Sequence, residues 1–199
     1  MNIKPATHSV SLVIILLVAG AAVALPAIAR ADCQGNNVTV SGATNGNDTL
    51  SGGNGIDVIG ALDGDDNATG ADGDDWICGH QGSDQRDLQG GAGSDNVWGQ
   101  DGSDHLFGGS GGDGLWGDKG ADDIDGGDNL DYIYGNDGED DVWAGDGDDR
   151  IYGGADDDNL LGGPGDDQID GGAGTDDHCF GGLGNDQISS FTCEYIDQN

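Results

Sequence analysis

Basic residues are almost missing from this chain of 199 residues. It has 5 lysines and arginines against 39 aspartates and glutamates, which gives a formal net charge of -34. No basic patch can form to meet phosphate groups, so the composition argues against binding nucleic acid. Such acidity is typical either of a disordered chain, whose like charges repel one another, or of a protein that binds cations. The choice depends on whether the carboxylates are scattered or regularly placed.

A nucleophile and a base at catalytic spacing are also missing from the sequence. His178 and Cys179 are neighbours, but adjacency in sequence is not catalytic geometry, and a cysteine in a disulfide would be inert. Acidic pairs occur throughout the repeats, so no pair is singled out for acid–base chemistry. We therefore expect a protein that is not an enzyme.

A long uncharged apolar run occurs at the N-terminus, where it predicts a secretory signal peptide over residues 1–31. Lys4 precedes the run at 10–25, and residues 29–31 read Ala-Arg-Ala, a small-x-small cleavage site before Asp32. The alternative is an uncleaved membrane anchor, for which ~16 residues fall short of the ~20 that span a bilayer comfortably. We expect a cleaved, secreted chain without a membrane span, in an oxidising space where disulfides persist.

The acidic residues are regularly placed, because a nine-residue unit recurs along most of the chain. The unit from Gly90 reads Gly-Gly-Ala-Gly-Ser-Asp-Asn-Val-Trp, with a glycine-rich turn, Asp at the sixth position and an aliphatic residue at the eighth. Glycine, or the residues Asn129 and Asp156, stands two residues before the Asp, where a positive φ is expected. The series slips by two residues after Asp84 and by one after Asp176. The sixteen sixth-position residues are Asp48, Asp57, Asp66, Asp75, Asp84, Asp95, Asp104, Asp113, Asp122, Asp131, Asp140, Asp149, Asp158, Asp167, Asp176 and Asp186.

This repeat predicts an all-β solenoid. In each unit the glycines would form a turn, and the three residues after the Asp a minimal strand whose middle side chain points inward. Two units would make a coil of 18 residues, and stacked coils would build two parallel sheets around a thin aliphatic core. Sixteen units would give about eight coils, or ~38 Å. We expect residues 32–42 to form an N-terminal cap, 43–189 the roll and 190–199 a C-terminal cap.

The nonapeptide resembles the repeat of the calcium-binding repeats-in-toxin (RTX) family, Gly-Gly-x-Gly-x-Asp-x-aliphatic-x. Residues 162–170 match it in full, and the resemblance covers 43–189. It implies a right-handed parallel β-roll with multiple Ca²⁺ ions along the turns. The sixteen Asp residues would be the side-chain ligands, with turn carbonyls supplying the rest. Calcium takes about 6–8 oxygen ligands, more than one turn offers, so each ion would lie between two turns of one edge.

On this interpretation Asp95 pairs with Asp113 along one edge and Asp104 with Asp122 along the other. The alternative is that the Asp residues only cap their turns, although Asn or Ser would then also be expected among the sixteen. With one small aliphatic residue per nine and a high net charge, the chain is predicted to be mostly disordered without calcium, with binding and folding coupled.

Cysteines and aromatic residues add two further predictions. Pairing by proximity gives the disulfides Cys33–Cys78 and Cys179–Cys193, which would tie down the two ends of the solenoid; free thiols are the alternative.

Four ninth-position aromatic residues recur every 18 residues and should stack on one sheet face; they are Trp98, Trp116, Tyr134 and Tyr152. They either stabilise the sheet or form a flat strip that binds a glycan or cell surface. The sequence thus predicts a secreted, non-enzymatic calcium-binding protein, with a calcium-rigidified adhesion or glycan-binding module as the alternative.

Overall fold

A computed structural model describes residue 40 and residues 42–84, 87–189 and 192–197 of the chain. The predicted signal peptide, most of the predicted N-terminal cap and the predicted Cys33–Cys78 bond lie outside the described residues. Within these ranges all the named secondary-structure elements are β-strands. The described residues contain no helix long and apolar enough to cross a membrane. The strands are β1 (Thr49–Ser51), β2 (Val58–Gly60), β3 (Asn67–Asp72), β4 (Trp76–Gln81), β5 (Leu88–Ala92), β6 (Asn96–Asp101), β7 (His105–Ser110), β8 (Gly114–Lys119), β9 (Asp123–Asp128), β10 (Tyr132–Asp137), β11 (Asp141–Asp146), β12 (Arg150–Ala155), β13 (Asn159–Pro164), β14 (Gln168–Ala173), β15 (His178–Leu183), β16 (Gln187–Ile188) and β17 (Tyr195–Asp197).

Successive strands alternate between two parallel sheets. The odd-numbered strands form a nine-stranded sheet and the even-numbered strands an eight-stranded one, each in chain order. Pairing joins residues one coil apart, as where Ile133 faces Leu115 on one side and Ile151 on the other. The chain is therefore a β-solenoid of about eight turns, which confirms the predicted parallel roll built from coils of two units.

The core lies between the two sheets and consists of the eighth-position side chains. Those of Ile77, Leu88, Val97 and Leu106 are fully buried, because alternate residues of a strand point to opposite faces of its sheet. Burial of one such side chain contributes about 1.5–3 kcal/mol. A core with one of them per nine residues is thin, so the roll depends on what its turns contribute.

The strands are longer than the predicted three residues. Strand β6 has six residues, and it continues through the first three positions of the following unit. Its pairing with β8 skips one residue between Trp98 and Gln100, and Gln100 has a φ of 81°. Both strands skip one residue, so the register is unchanged, and the bend lets the chain keep its sheet pairing after the first glycine of a unit. The positive φ expected at Asn129 and Asp156 is present, at 79° and 76°.

The C-terminal segment adds a strand to the roll. A disulfide joins Cys179 of β15 to Cys193, with an S–S distance of 2.01 Å. The N–H groups of Thr192 and Cys193 both donate to the carbonyl of Ser189, which forms one tight turn. Strand β17 then pairs with β15. Of the predicted cap, the described residues 192–197 include the last strand of the nine-stranded sheet.

Candidate metal centres

The sixth-position carboxylates form two columns, one leading into the strands of each sheet. Within a column, the N–H of each Asp donates to Oδ1 of the Asp in the next coil. The N–H of Asp95 lies 2.7 Å from Oδ1 of Asp113, and that of Asp104 lies 2.8 Å from Oδ1 of Asp122. These are two of the carboxylate pairs that the spacing predicts, and all four side chains are buried.

The second oxygen of most of these carboxylates is buried without a hydrogen-bond partner. A buried, unpartnered carboxylate oxygen costs free energy, and the cost is largest when it carries charge. Almost all buried polar groups in proteins find a partner, so a repeated exception needs an explanation. The residues with such an Oδ2 atom are Asp66, Asp75, Asp95, Asp104, Asp113, Asp122, Asp131, Asp140, Asp149, Asp158, Asp167, Asp177 and Asp186.

Burial raises the pKa of carboxyl groups in both columns. It raises the pKa of Asp122 and Asp131 to about 8 and that of Asp158 to about 7. For Asp122 the main cause is desolvation; the backbone N–H of Asp104 lowers the pKa, and the carboxylate of Asp140 raises it again. A desolvated carboxyl group becomes an anion more readily when a cation lies beside it. The columns therefore favour either protons or metal ions at neutral pH.

Beside the first glycine of most units, the unpartnered carboxylate oxygen and a carbonyl oxygen of the next coil converge on the same space. A β-carbon added at Gly90 would lie 2.5 Å from Oδ2 of Asp95 and 2.7 Å from the carbonyl oxygen of Gly108. At Gly99 the corresponding distances are 2.5 Å to Oδ2 of Asp104 and 2.9 Å to the next-coil carbonyl oxygen. Only glycine leaves this space open for the converging oxygens.

The donor atoms in this space are all oxygens, which suits Ca²⁺ and not the softer metals that prefer nitrogen or sulfur. In the part of the chain that the structure describes, no three side chains of His, Cys, Asp or Glu come together as a metal site. An ion between the coils would therefore need backbone carbonyls as well as carboxylates. The residues present fit that requirement.

Three units have alanine in place of the first glycine, at Ala43, Ala61 and Ala144. Ala61 and Ala144 are fully buried, so each places a methyl group where other units leave space for oxygens. Asp66 and Asp149 are the carboxylates of these two units. An ion beside either alanine would have less space than one beside a glycine.

In the first coil, the Oδ2 atoms of two predicted ligands have hydrogen-bond partners within their own turns. Oδ2 of Asp48 accepts hydrogen bonds from the N–H and the hydroxyl of Thr44, at 2.6 and 2.9 Å. Oδ2 of Asp57 accepts one from the N–H of Gly53, at 2.8 Å. These two residues cap their own turns, as the alternative interpretation of the repeat expects.

At the second register slip, the assignment of Asp176 to the column is wrong. Asp176 is exposed, whereas Asp177 is fully buried and its Oδ1 accepts the N–H of Asp158 at 2.9 Å. The reason is that Cys179, which pairs with Leu160, fills the eighth position of this unit. Both Asp176 and Asp177 lack an aliphatic residue two positions later, where His178 and Cys179 stand, and the burial of Cys179 decides between them.

The four predicted aromatic residues stack in register along the eight-stranded sheet. Ring centroids are 4.7 Å apart for Trp98 and Trp116, 5.9 Å for Trp116 and Tyr134, and 5.0 Å for Tyr134 and Tyr152, with interplanar angles of 8° or less. The ring faces cover one another, so they are not presented to a sugar ring. This geometry favours the interpretation that the aromatic stack stabilises the sheet.

The repeat region matches the sequence model of the RTX calcium-binding nonapeptide repeat (4 copies). The matched segments overlap and are residues 42–77, 61–85, 87–115, 116–151, 143–177 and 152–188. None of the curated proteins matches the chain. The matched segments contain both carboxylate columns.

Proposed function

The chain belongs to the family of RTX calcium-binding nonapeptide repeat proteins, and on that basis we propose that it binds several Ca²⁺ ions between successive turns of its roll. The observation that supports this most directly is the buried carboxylate oxygen without a hydrogen-bond partner, which recurs from coil to coil. Each lies beside the first residue of its unit, and most lie close to a carbonyl of the next coil. A hard cation satisfies such oxygens at the distances that calcium prefers.

The proposed side-chain ligands are the buried carboxylates of the two columns, with turn carbonyls completing each shell. Asp48 and Asp57 belong to this set only if they give up the hydrogen bonds to their own turns, and Asp177 replaces Asp176. The set is Asp66, Asp75, Asp84, Asp95, Asp104, Asp113, Asp122, Asp131, Asp140, Asp149, Asp158, Asp167, Asp177 and Asp186.

Cations would also compensate charge that the chain's own basic residues leave uncompensated. Among the described lysine and arginine side chains, Lys119 binds the exposed Asp101 at 2.6 Å, and Arg150 donates to the hydroxyl of Tyr132 at 2.6 Å. Neither engages the buried columns. Bringing like charges together in a dry interior is unfavourable unless each is paired.

We further infer that calcium binding and folding are coupled, because the thin core alone opposes a large charge repulsion. The protein would then fold after export, where calcium is abundant, and act as a secreted, non-enzymatic scaffold. An affinity of about 10⁻⁴–10⁻³ M is typical of extracellular calcium modules.

Circular dichroism of the purified chain in EDTA, and then in millimolar CaCl₂, tests this proposal. We expect a disordered spectrum in EDTA and a β spectrum after calcium is added, with MgCl₂ as the matched control. A β spectrum that is complete in EDTA and unchanged by calcium would refute the coupling. If equilibrium dialysis also detected no bound calcium, the binding itself would be refuted.

A further inference from the structure

The segment after the last repeat makes the contacts of a repeat turn, although its sequence lacks the repeat pattern. The N–H of Asp177 donates to Oε2 of Glu194 at 2.8 Å, as the N–H of Asp158 donates to Oδ1 of Asp177. Glu194 directly precedes β17, just as Asp177 directly precedes β15. Glu194 therefore stands where the next Asp of the column would stand.

Thr192 supplies the carbonyl of this turn. A β-carbon added at Gly171 would lie 2.7 Å from Oδ2 of Asp177 and 2.5 Å from the carbonyl oxygen of Thr192. At Gly90 the carboxylate oxygen would lie at 2.5 Å and the carbonyl oxygen of a repeat glycine at 2.7 Å, so the two spaces are similar in size. The hydroxyl of Thr192 is held as well, since it donates to Oδ1 of Asp170 at 2.6 Å.

The Oδ2 atom of Asp177 lies beside this space without a hydrogen-bond partner. Its side chain is fully buried, and its Oδ2 atom has no hydrogen bond. The chain contains no lysine or arginine after Arg150, so no lysine or arginine of this segment neutralises the two carboxylates. The arrangement of oxygens is that of the repeat sites, with a longer acidic side chain.

We propose that the C-terminal segment completes a further calcium site, held by Asp177, Glu194 and the carbonyl of Thr192. This inference rests on the proposed function, and it adds a ligand that lies outside the repeats. The Cys179–Cys193 disulfide links the two parts of this site, because Cys179 lies two residues after Asp177 and Cys193 directly precedes Glu194. With its Cα atoms 5.9 Å apart, the disulfide fixes the two carboxylates relative to each other, and breaking it releases this site alone.

The test compares the number of calcium ions bound by the full chain with that bound by Glu194→Gln, measured by equilibrium dialysis at saturating CaCl₂. Glu139→Gln is the matched control, because Glu139 is the other glutamate of the sequence and is exposed. We expect Glu194→Gln to bind one ion fewer and Glu139→Gln to bind as many as the unchanged chain. Cys193→Ala should lose the same single ion.

Hydrogen exchange provides the second readout and separates loss of a site from loss of the fold. In calcium, the amide groups of residues 192–197 should lose protection in Glu194→Gln, while those of β6 to β12 keep it. If Glu194→Gln bound as many ions as the unchanged chain, this inference would be overturned and the repeat sites would stand. If the unchanged chain bound no calcium, the proposed function itself would fail.

Discussion

The N–H of Asp95 donates to Oδ1 of Asp113, 2.7 Å away in the next coil, and Oδ2 of Asp113 is left buried without a partner. One oxygen of the carboxylate thus joins two coils, while the other remains available to a cation. Substitution of such an Asp by Asn separates the two roles, because the amide keeps one carbonyl oxygen as a hydrogen-bond acceptor and loses the charge. This geometry makes the effect of single substitutions specific.

Asp113→Asn should weaken calcium binding at the two turns beside it while preserving the rest of the roll. We expect one bound ion to be lost, or its affinity to fall at least about tenfold, which corresponds to about 1.4 kcal/mol. Calorimetric titration with CaCl₂ measures this. Asp146→Asn is the control, because Asp146 is exposed and its loss removes the same charge. Equal weakening by both variants would mean that only net charge matters.

Gly90→Ala should damage a site without removing a ligand. Its methyl group would lie 2.5 Å from Oδ2 of Asp95 and 2.7 Å from the carbonyl oxygen of Gly108, so both oxygens must shift. We expect about 1–3 kcal/mol of destabilisation in calcium, a typical cost of overpacking. Gly53→Ala is the control, since a β-carbon there meets no atom within 4 Å. Urea unfolding in CaCl₂ compares the two, and an equal loss in both variants would contradict the prediction.

The structure of the calcium-free chain should depend on pH. Burial raises the pKa of Asp122 and Asp131 to about 8 and that of Asp95 and Asp140 to about 6, from 3.8. A raised pKa in the folded state stabilises that state below the unfolded pKa, and the stabilisation is lost as pH rises through the folded pKa. In EDTA, the β signal should therefore be stronger near pH 4 than near pH 8.

Calcium binding should show the opposite trend, because protons and calcium compete for the same oxygens. Affinity is expected to rise between pH 6 and pH 8, the range spanned by these raised pKa values. Circular dichroism in EDTA and calcium titrations at several pH values check both trends. An EDTA spectrum and a calcium affinity that do not change between pH 5 and pH 8 would contradict this account of the columns.

Trp116→Ala should destabilise the roll, because Trp116 stacks on Trp98 and on Tyr134. Two aromatic contacts at about 0.5–1.5 kcal/mol each give an expected loss of about 1–3 kcal/mol. The control is Trp143→Ala on the other sheet, because Trp143 is 46% exposed. Urea unfolding in calcium should separate the two variants. Equal losses would argue against a stabilising role of the stack.

The solenoid and most of the carboxylate columns could be predicted because they depend on spacing alone. A residue 18 positions away is the neighbour in the next coil, so Asp95 and Asp113 could be paired without any structure. Spacing failed at Asp176, since Asp176 and Asp177 are adjacent and only the burial of Cys179 distinguishes them. The sixth-position pattern also could not show that Asp48 and Asp57 cap their own turns.

The repeat spacing could not predict the longer strands or the contacts of Glu194, for a different reason. Glycine is typical of turns, yet Gly99 lies inside β6, because a bend with positive φ at Gln100 lets the pairing continue. Glu194 resembles a repeat Asp only through its backbone position, which the pairing of β17 and the Cys179–Cys193 bond determine. Such relationships arise from tertiary contacts and leave no periodic signal.

Within the repeats, the contacts that link the coils say nothing about how many coils there should be. Hydrogen bonds such as that from Asp104 to Asp122 join a coil only to its immediate neighbours. Adding or deleting 18 residues would leave every other coil with the same surroundings. A change of nine residues would instead send all later units to the opposite sheet and, if made between Trp98 and Tyr152, would split the aromatic stack. Copy number is thus free to vary in whole coils, and only the terminal segments decide where the growth of the roll stops.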